Sequence, residues 1–271
     1  MTQPVPKSSI YFEQISRMIT NDVKFNDLDF KRFQFEVSKI DSAVSRFELL
    51  GWAHAIQGNQ SEAISSYKSA LSSSYAGFNT NGNYYLLLKR FGLYREALEV
   101  GKAISITYND PYFLNDFFLE NIIALDVDGA KTVFDKLRRM NKLDLREVMT
   151  EASKEMDLMN ELSNDFISKD QLLALGKVVL EVAEVNDCTL IGNRVRHIKE
   201  SNHLSISYVL DSEKVTSERL FDVNLALFEN LISRNLDSLP AVVQFVRLHR
   251  PESNLSDVSK VLKAEGVTDA S

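Results

Sequence analysis

Residues 47–71, FELLGWAHAIQGNQSEAISSYKSAL, decide the fold of this chain. The spacing of their apolar and small residues predicts two short amphipathic helices joined by a turn at Gly58. Gly51 and Ala63 are small enough to let the two helix backbones approach closely, and Tyr67 would fill the seam between them. We therefore expect a compact helix-turn-helix unit here.

The same pattern recurs 34 residues later, where Gly92 follows Gly58 and Ala97 follows Ala63. A helix-turn-helix unit with this period resembles the tetratricopeptide repeat family. The resemblance covers residues 43–141. After the first unit come NYYLLLKRFGLYREALEVGKAI and PYFLNDFFLENIIALDVDGAKTVFDKL, the latter one residue out of phase. The resemblance implies an α-α superhelix.

The second unit departs from the first at the seam positions. Tyr85 stands where the first unit has Gly51, and Gly101 stands where it has Tyr67. The polar, glycine-containing stretch 77–83 also predicts a late start for the first helix of the second unit. Because such stacks need at least three units, we expect the apolar-periodic helices within residues 8–40 to cap the N-terminal end.

An acidic helical stretch over residues 144–165 follows the repeats. It carries seven Asp and Glu against two Lys and Arg. Its apolar positions could close the end of the stack. Its acidic face is either a solvated surface or a docking surface for a basic partner.

The periodicity changes after Asn186. CTLIGNRVRHIKE and HLSISYVLD predict two strands, residues 217–234 predict an amphipathic helix, and AVVQFVRL predicts a third strand. A last short helix is predicted over residues 255–263. We therefore predict a mainly α fold with a C-terminal α+β part: a repeat domain over 1–165, then a small three-stranded β-β-α-β domain over 166–271.

Composition narrows the class of protein. Hydrophobic residues at 44% and charged residues at 25% are typical of globular chains. The net charge of -7 opposes non-specific attraction to nucleic acid. No apolar run approaches the roughly 18 residues of a spanning helix, and the N-terminal stretch lacks a secretory apolar core. We expect a soluble, cytoplasmic protein with no membrane partner.

No grouping of catalytic residues stands out. The four histidines form no metal-binding pair at helical spacing, and no glycine-rich phosphate loop or Gly-x-Ser-x-Gly elbow occurs. Cys188 is the only cysteine and has no histidine beside it in the sequence. We predict no catalytic residue, metal site or cofactor. An enzyme with an unrecognised site in the C-terminal domain remains open, because active residues converge in space.

A basic patch is the second candidate site. Arg194 and Arg196 alternate on the first predicted strand, Lys199 follows them, and Arg247 would join if the third strand lay beside the first. Clustered arginines can hold phosphates, so the alternative function is a nucleic-acid-associated regulator. A solvated sheet face is the other interpretation, because residues 186–250 carry eight basic and eight acidic residues.

The resemblance itself implies a third site. In the tetratricopeptide family, the first helix of each unit lines a groove that receives a peptide or a partner's helix. When the groove positions of the family are aligned with this sequence, the resemblance implies a groove formed by eight residues. They are Glu48, Trp52, Ile56, Leu86, Lys89, Arg90, Asn115 and Leu119. Lys89 and Arg90 would form a cationic spot. Trp52 is either a binding hot spot or a packing residue against the N-terminal cap.

These observations favour a non-catalytic protein that holds or neutralises another macromolecule. It could be a scaffold or adaptor, or an acidic inhibitor of the immunity-protein or antitoxin kind. The expected partner is another protein, with nucleic acid as the alternative. A homo-oligomer is also open.

Overall fold

We describe a computed structural model of the chain over residues 7–140, 146–165, 167–198, 203–211 and 215–247. Its elements, in order, are α1 (Lys7–Thr20), α2 (Asp27–Ser38), α3 (Ala43–Gln57), α4 (Gln60–Leu71), α5 (Phe78–Arg90), α6 (Tyr94–Thr107), α7 (Pro111–Ile123), α8 (Val127–Met140), α9 (Arg146–Asp165), α10 (Lys169–Val185), β1 (Leu190–Ile198), β2 (His203–Leu210), α11 (Ser217–Ser233) and β3 (Ala241–Arg247). The prediction of a mostly helical chain with a small C-terminal sheet is confirmed. The predicted helix over 255–263 lies outside the described residues.

Helices α3 and α4 form the first unit as a tightly packed pair. A Cβ atom on Gly51 would stand 2.5 Å from the ring of Tyr67, so the absence of a side chain on α3 makes room for the ring from α4. Ala63 and Tyr67 are completely buried. The Ser42 hydroxyl accepts the backbone N–H of Ser45 and caps the start of α3.

The turns inside the three helix pairs share a left-handed residue. Gly58 has φ 81°, Gly92 has φ 68° and Leu125 has φ 53°. They lie 34 and 33 residues apart, which reproduces the period and the one-residue phase shift of the third unit. Neighbouring helices from α3 to α9 pack in chain order. This arrangement is compatible with a helical repeat.

The first helix of the second unit begins earlier than predicted. Helix α5 starts at Phe78 and includes the polar residues that were expected to delay it. Asn81 donates its side-chain amide to the carbonyl oxygen of Gly77, and Thr80 is buried. Local hydrogen bonding and burial therefore override the weak helix propensity of this stretch.

In the described part of the chain, the buried apolar residues form two clusters. The N-terminal cluster joins α1 and α2 to α3 through Ile15, Phe25, Phe33, Val37, Ile40, Leu49, Ala53 and Ile56. The larger cluster runs from α3 through the repeat helices to the sheet. Trp52 is half-buried and packs against both clusters. The core is therefore continuous across the predicted domain boundary at residue 165.

Helix α10 covers the second helices of the second and third units, α6 and α8. Ser168 and Gln171 form a capping box at its start, as the sequence predicts. A Cβ on Gly176 would lie far inside contact distance of the Ala124 carbonyl, so the glycine lets α10 press against the end of α7. Helix α9 packs against α7 and α8 and buries Ala152, Met156, Met159 and Leu162.

The three strands form one sheet in the order β1-β2-β3. β1 pairs with β2 antiparallel, and β2 pairs with β3 in parallel, with α11 as the crossover. The sheet is anchored to the repeats at specific atoms. Tyr94 Oη on α6 donates to the Cys188 carbonyl oxygen at 3.0 Å and accepts the Leu190 N–H at 2.7 Å. Tyr208 Oη donates to the Ile123 carbonyl oxygen at 2.9 Å.

Candidate partner-binding site

A surface pocket of about 300 Å³ opens at the junction of α5 and α7, the first helices of the second and third units. Its lining residues are Phe78, Asn79, Gly82, Asn83, Tyr85, Leu86, Asp110, Tyr112, Phe113 and Asp116. Helix α10 packs mainly against α6 and α8 and meets α7 at its C-terminal end, whereas the pocket residues of α7 lie in its first two turns.

Aromatic rings hold the pocket walls in place. The Phe113 ring meets Tyr85 edge-on at 5.2 Å and Phe78 edge-on at 6.0 Å between centroids. Asp110 fixes the start of α7 because its carboxylate accepts the backbone N–H of Phe113 at 2.8 Å. The walls are therefore formed before any ligand arrives.

Large apolar side chains are exposed at and beside the pocket. Tyr112 is 70% exposed, and Leu86 is 48% exposed on the facing helix. Leu119, two turns farther along α7, is 45% exposed. Single exposed apolar residues are ordinary, but Tyr112 and Leu86 line the same pocket, and exposed apolar side chains at a pocket are typical of an interaction site.

The predicted cationic spot is neutralised at Lys89. Lys89 Nζ lies 3.2 Å from Asp116 Oδ2 and 2.5 Å from Glu120 Oε1, so it ties α5 to α7. Burial lowers the pKa of Lys89, but its two carboxylate partners outweigh that effect and raise it. Burial raises the pKa of Glu120, and Lys89 opposes this. The ammonium group is engaged inside the protein.

The pocket is acidic instead of basic. Among the described residues that line it, Asp110 and Asp116 are the charged ones, and none is a lysine or arginine. The Asp116 side chain is 46% exposed and also accepts a hydrogen bond from Tyr85 Oη at 3.1 Å. A ligand that enters this pocket meets apolar walls and a negative rim.

The structure separates the other predicted groove residues into two groups. Leu86 lines the pocket, Asn115 and Leu119 lie on α7, and Arg90 is exposed at the end of α5. Glu48 and Ile56, by contrast, are 7% and 4% exposed. Ile56 packs inside the N-terminal cluster, because the cap helices cover that side of α3. These two residues therefore present little surface to a partner.

Trp52 and Glu48 make contacts inside the protein. The Trp52 ring meets Tyr67 edge-on at 6.2 Å, which supports the packing interpretation of this tryptophan. Burial raises the pKa of Glu48, and the Thr80 and Asn83 side chains lower it in part. Asn83 also lines the pocket, so it connects the buried carboxyl to the surface.

Arg247 does not join Arg194 and Arg196 on one face of the sheet. Arg194 and Arg196 are exposed on β1, opposite Ser207 and Ser205 of β2. Arg247 is level with buried Leu210, on the other face of the sheet. Its guanidinium donates to the Val215 carbonyl oxygen at 3.0 Å and to Ser217 Oγ at 3.2 Å. The condition set for Arg247 is not met, because β3 pairs with β2 and not with β1. Lys199 lies outside the described residues.

Sequence reasoning missed the aromatic lining of the pocket. Phe78, Tyr112 and Phe113 were absent from the predicted groove. Asp110-Pro111 is a typical helix start, and it could have revealed them. It places Tyr112 and Phe113 in the first turn of α7. Phe78 was missed because the start of its helix was placed too late, although Leu86, Lys89 and Arg90 of the same helix were predicted.

Three other features bear on function: metal-binding groups, the Cys188 thiol and membrane-spanning helices. In the described part of the chain, no three His, Cys, Asp or Glu residues are grouped to hold a metal ion. Burial raises the pKa of Cys188, which disfavours a reactive thiolate. Among the described helices, none has the length and apolar character needed to cross a membrane.

Comparisons with family models, curated proteins and solved structures gave no match.

Proposed function

We propose that this protein is a non-catalytic binding module that holds a segment of another protein in the pocket between α5 and α7. The preformed aromatic pocket with exposed Tyr112 and Leu86 at its mouth is the observation that carries this proposal. Small pockets with apolar walls and few polar groups suit the insertion of a side chain as an anchor.

The charge of the pocket defines the chemistry of the anchor. Its two carboxylates, Asp110 and Asp116, favour a partner segment with a lysine or arginine next to an inserted aromatic or aliphatic side chain. The net charge of -7 favours the same kind of partner at longer range. A scaffold for a basic protein, or an acidic inhibitor of one, would use this site.

The helix pairs support a tetratricopeptide-like array as the framework. The turns at Gly58, Gly92 and Leu125 repeat at nearly constant spacing, and α5 and α7 correspond to groove-forming helices under that resemblance. Leu86, Asn115 and Leu119 would then extend the contact beyond the pocket.

Selection from a library of random dodecapeptides tests the proposal. We expect selected peptides to combine an aromatic or aliphatic residue with a neighbouring Lys or Arg. Tyr112→Ala and Leu86→Ala should each weaken binding about tenfold or more, because each removes an exposed apolar contact at the pocket.

Tyr75→Ala is the matched control, because Tyr75 is 89% exposed and lies outside the pocket. It should bind the selected peptides as the wild type does. The proposal is overturned if the selected peptides bind the pocket variants and the wild type equally well.

A further inference from the structure

The outer edge of β3 meets a side chain of α11 at the place where a further strand would lie. β3 is at one end of the described sheet, and β2 is its neighbour there. The N–H and C=O of Phe245 point to the same side of the strand. Asn224 Oδ1 accepts that N–H at 2.8 Å, and Asn224 Nδ2 donates to that carbonyl oxygen at 3.0 Å. One asparagine amide thus makes both hydrogen bonds that a further strand would make with Phe245.

The side-chain amide of Asn224 is fixed in one orientation. Nδ2 also donates to the carbonyl oxygen of Leu220, one turn earlier in α11, at 3.0 Å. Both amide hydrogens therefore have an acceptor, and the side-chain oxygen has a donor. An aspartate would lack the donors and a leucine would lack both kinds of group, so the two bonds to Phe245 require an amide at this position.

The sequence of β3 is one that pairs readily with another strand. Residues 241–246, AVVQFV, are rich in β-branched residues and contain no charge and no proline. Natural edge strands are commonly protected by a charge, a proline or a bulge. The register of β3 against β2 is continuous, so no bulge interrupts it. The edge of residues 241–246 therefore lacks these three kinds of protection.

Asn224 occupies the middle of this edge. The backbone groups of Val243 and Arg247 point the same way as those of Phe245, because orientation alternates along a strand. A strand that adds to the edge forms its bonds at such positions in succession. With Phe245 already bonded to Asn224, Val243 and Arg247 are separated by a position that cannot pair. An added strand could not form a continuous ladder.

We propose that Asn224 closes the outer edge of β3 and thereby prevents a second copy of this chain from adding its own β3 there. A second copy is the relevant partner, because every copy carries the same uncharged sequence at 241–246. Helix α11 connects β2 to β3, so the blocking side chain is always next to the strand that it protects. The inference is independent of the pocket between α5 and α7.

Sedimentation velocity of the full chain with Asn224→Leu tests the proposal. Leucine has a similar size and removes both bonds to Phe245. We expect the weight-average mass of this variant to rise about twofold or more with concentration, while the wild type at the same concentrations does not change. In the associated form the amide of Val243, which faces the edge, should exchange hydrogen at least about tenfold more slowly than in the wild type.

Asn230→Leu is the matched control. Asn230 is on the same helix and donates its side-chain amide to the Ala226 carbonyl oxygen, but it makes no described bond to β3. This variant should sediment as the wild type does. Gly51→Ala, which disturbs the packing of α3 on α4, is the control for a general loss of stability and should not associate either.

A second substitution separates closure of the edge from other causes of association. Val242 is 55% exposed, and a charge on an edge strand opposes pairing. Val242→Lys combined with Asn224→Leu should therefore restore the sedimentation of the wild type. If circular dichroism shows that Asn224→Leu does not fold, Asn224→Ala removes the same bonds with a smaller side chain, and the same outcomes are expected of it.

The proposal is overturned if the folded Asn224 variant sediments as the wild type does. It is also overturned if association persists when Val242→Lys is added, because another surface would then be responsible. Concentration-dependent protection of the Val243 amide in the wild type would overturn it as well, since the edge would then be open with Asn224 in place.

Discussion

At the scale of single residues, the repeats depend on glycines that face aromatic rings. Gly51 on α3 receives Tyr67 from α4. In the second unit the glycine is on the other helix: Gly101 on α6 receives Phe117 from α7, and a Cβ there would stand 2.5 Å from that ring. The first and second units therefore differ in sequence at these positions, because the glycine and the large residue have changed places. Close packing is preserved all the same.

Gly51→Ala should lower the free energy of unfolding by about 1–3 kcal/mol, because the new methyl group overlaps the buried Tyr67 ring. Urea denaturation measures the effect. Gly82→Ala is the matched control on α5, where a Cβ meets no atom within 4 Å. It should raise stability by about 0.5–1 kcal/mol through helix propensity. Equal effects of the two substitutions would contradict the packing argument.

Glu48→Gln should make the protein more stable at neutral pH. Burial raises the pKa of Glu48 above its ordinary value of 4.5, so the folded state favours the protonated carboxyl. The stabilisation that this protonation provides is present below pH 4.5 and is lost as the pH rises through the raised pKa. The amide has no charge to bury, so the advantage of Glu48→Gln should grow over that range.

Urea denaturation at a series of pH values measures this dependence. Glu99→Gln, at an exposed position on α6, is the control and should show no such trend. A stability difference between Glu48→Gln and the wild type that stays constant with pH would contradict the assignment.

At the scale of elements, local patterns predicted most of the helices and the strands. Apolar spacing and the glycine turns at Gly58 and Gly92 identify the paired helices, because both signals act within a few residues. The alternation in residues 203–210 identifies β2 for the same reason. The start of α5 was misplaced, since burial of Thr80 and a local side-chain bond decide it.

Contacts between distant elements could not be predicted in this way. Arg247 was assigned to a patch with Arg194, but the register of β3 against β2 puts it on the opposite face. The pocket likewise combines Phe78 with Tyr112, whose helices meet only in the fold. One residue of register exchanges the faces of a strand, and the sequence of that strand alone leaves the register open.

At the scale of the whole molecule, the repeats and the sheet share one core. Tyr94 links α6 to Cys188 and to Leu190, the first residue of β1, with two hydrogen bonds, and Arg95 adds an ion pair to Glu184 on α10 at 2.5 Å. Trp52 packs against both hydrophobic clusters. These connections favour unfolding as one cooperative unit.

Tyr94→Phe should lower the free energy of unfolding by about 1–3 kcal/mol, because it leaves the Leu190 N–H without its partner. Trp52 fluorescence and far-UV circular dichroism should both report the same lowered midpoint in urea. Tyr75→Phe, at an exposed position, is the control. A shift seen by only one of the two probes would contradict a shared transition.

The order of strands also bears on how the chain is synthesised. β2 is the central strand, but its parallel neighbour β3 is made 31 residues after β2 ends at Leu210. At translation rates of about 5–20 residues per second, this interval lasts on the order of seconds. During it a nascent chain on the ribosome presents one unpaired side of β2, so this is the stage at which a chaperone would matter most.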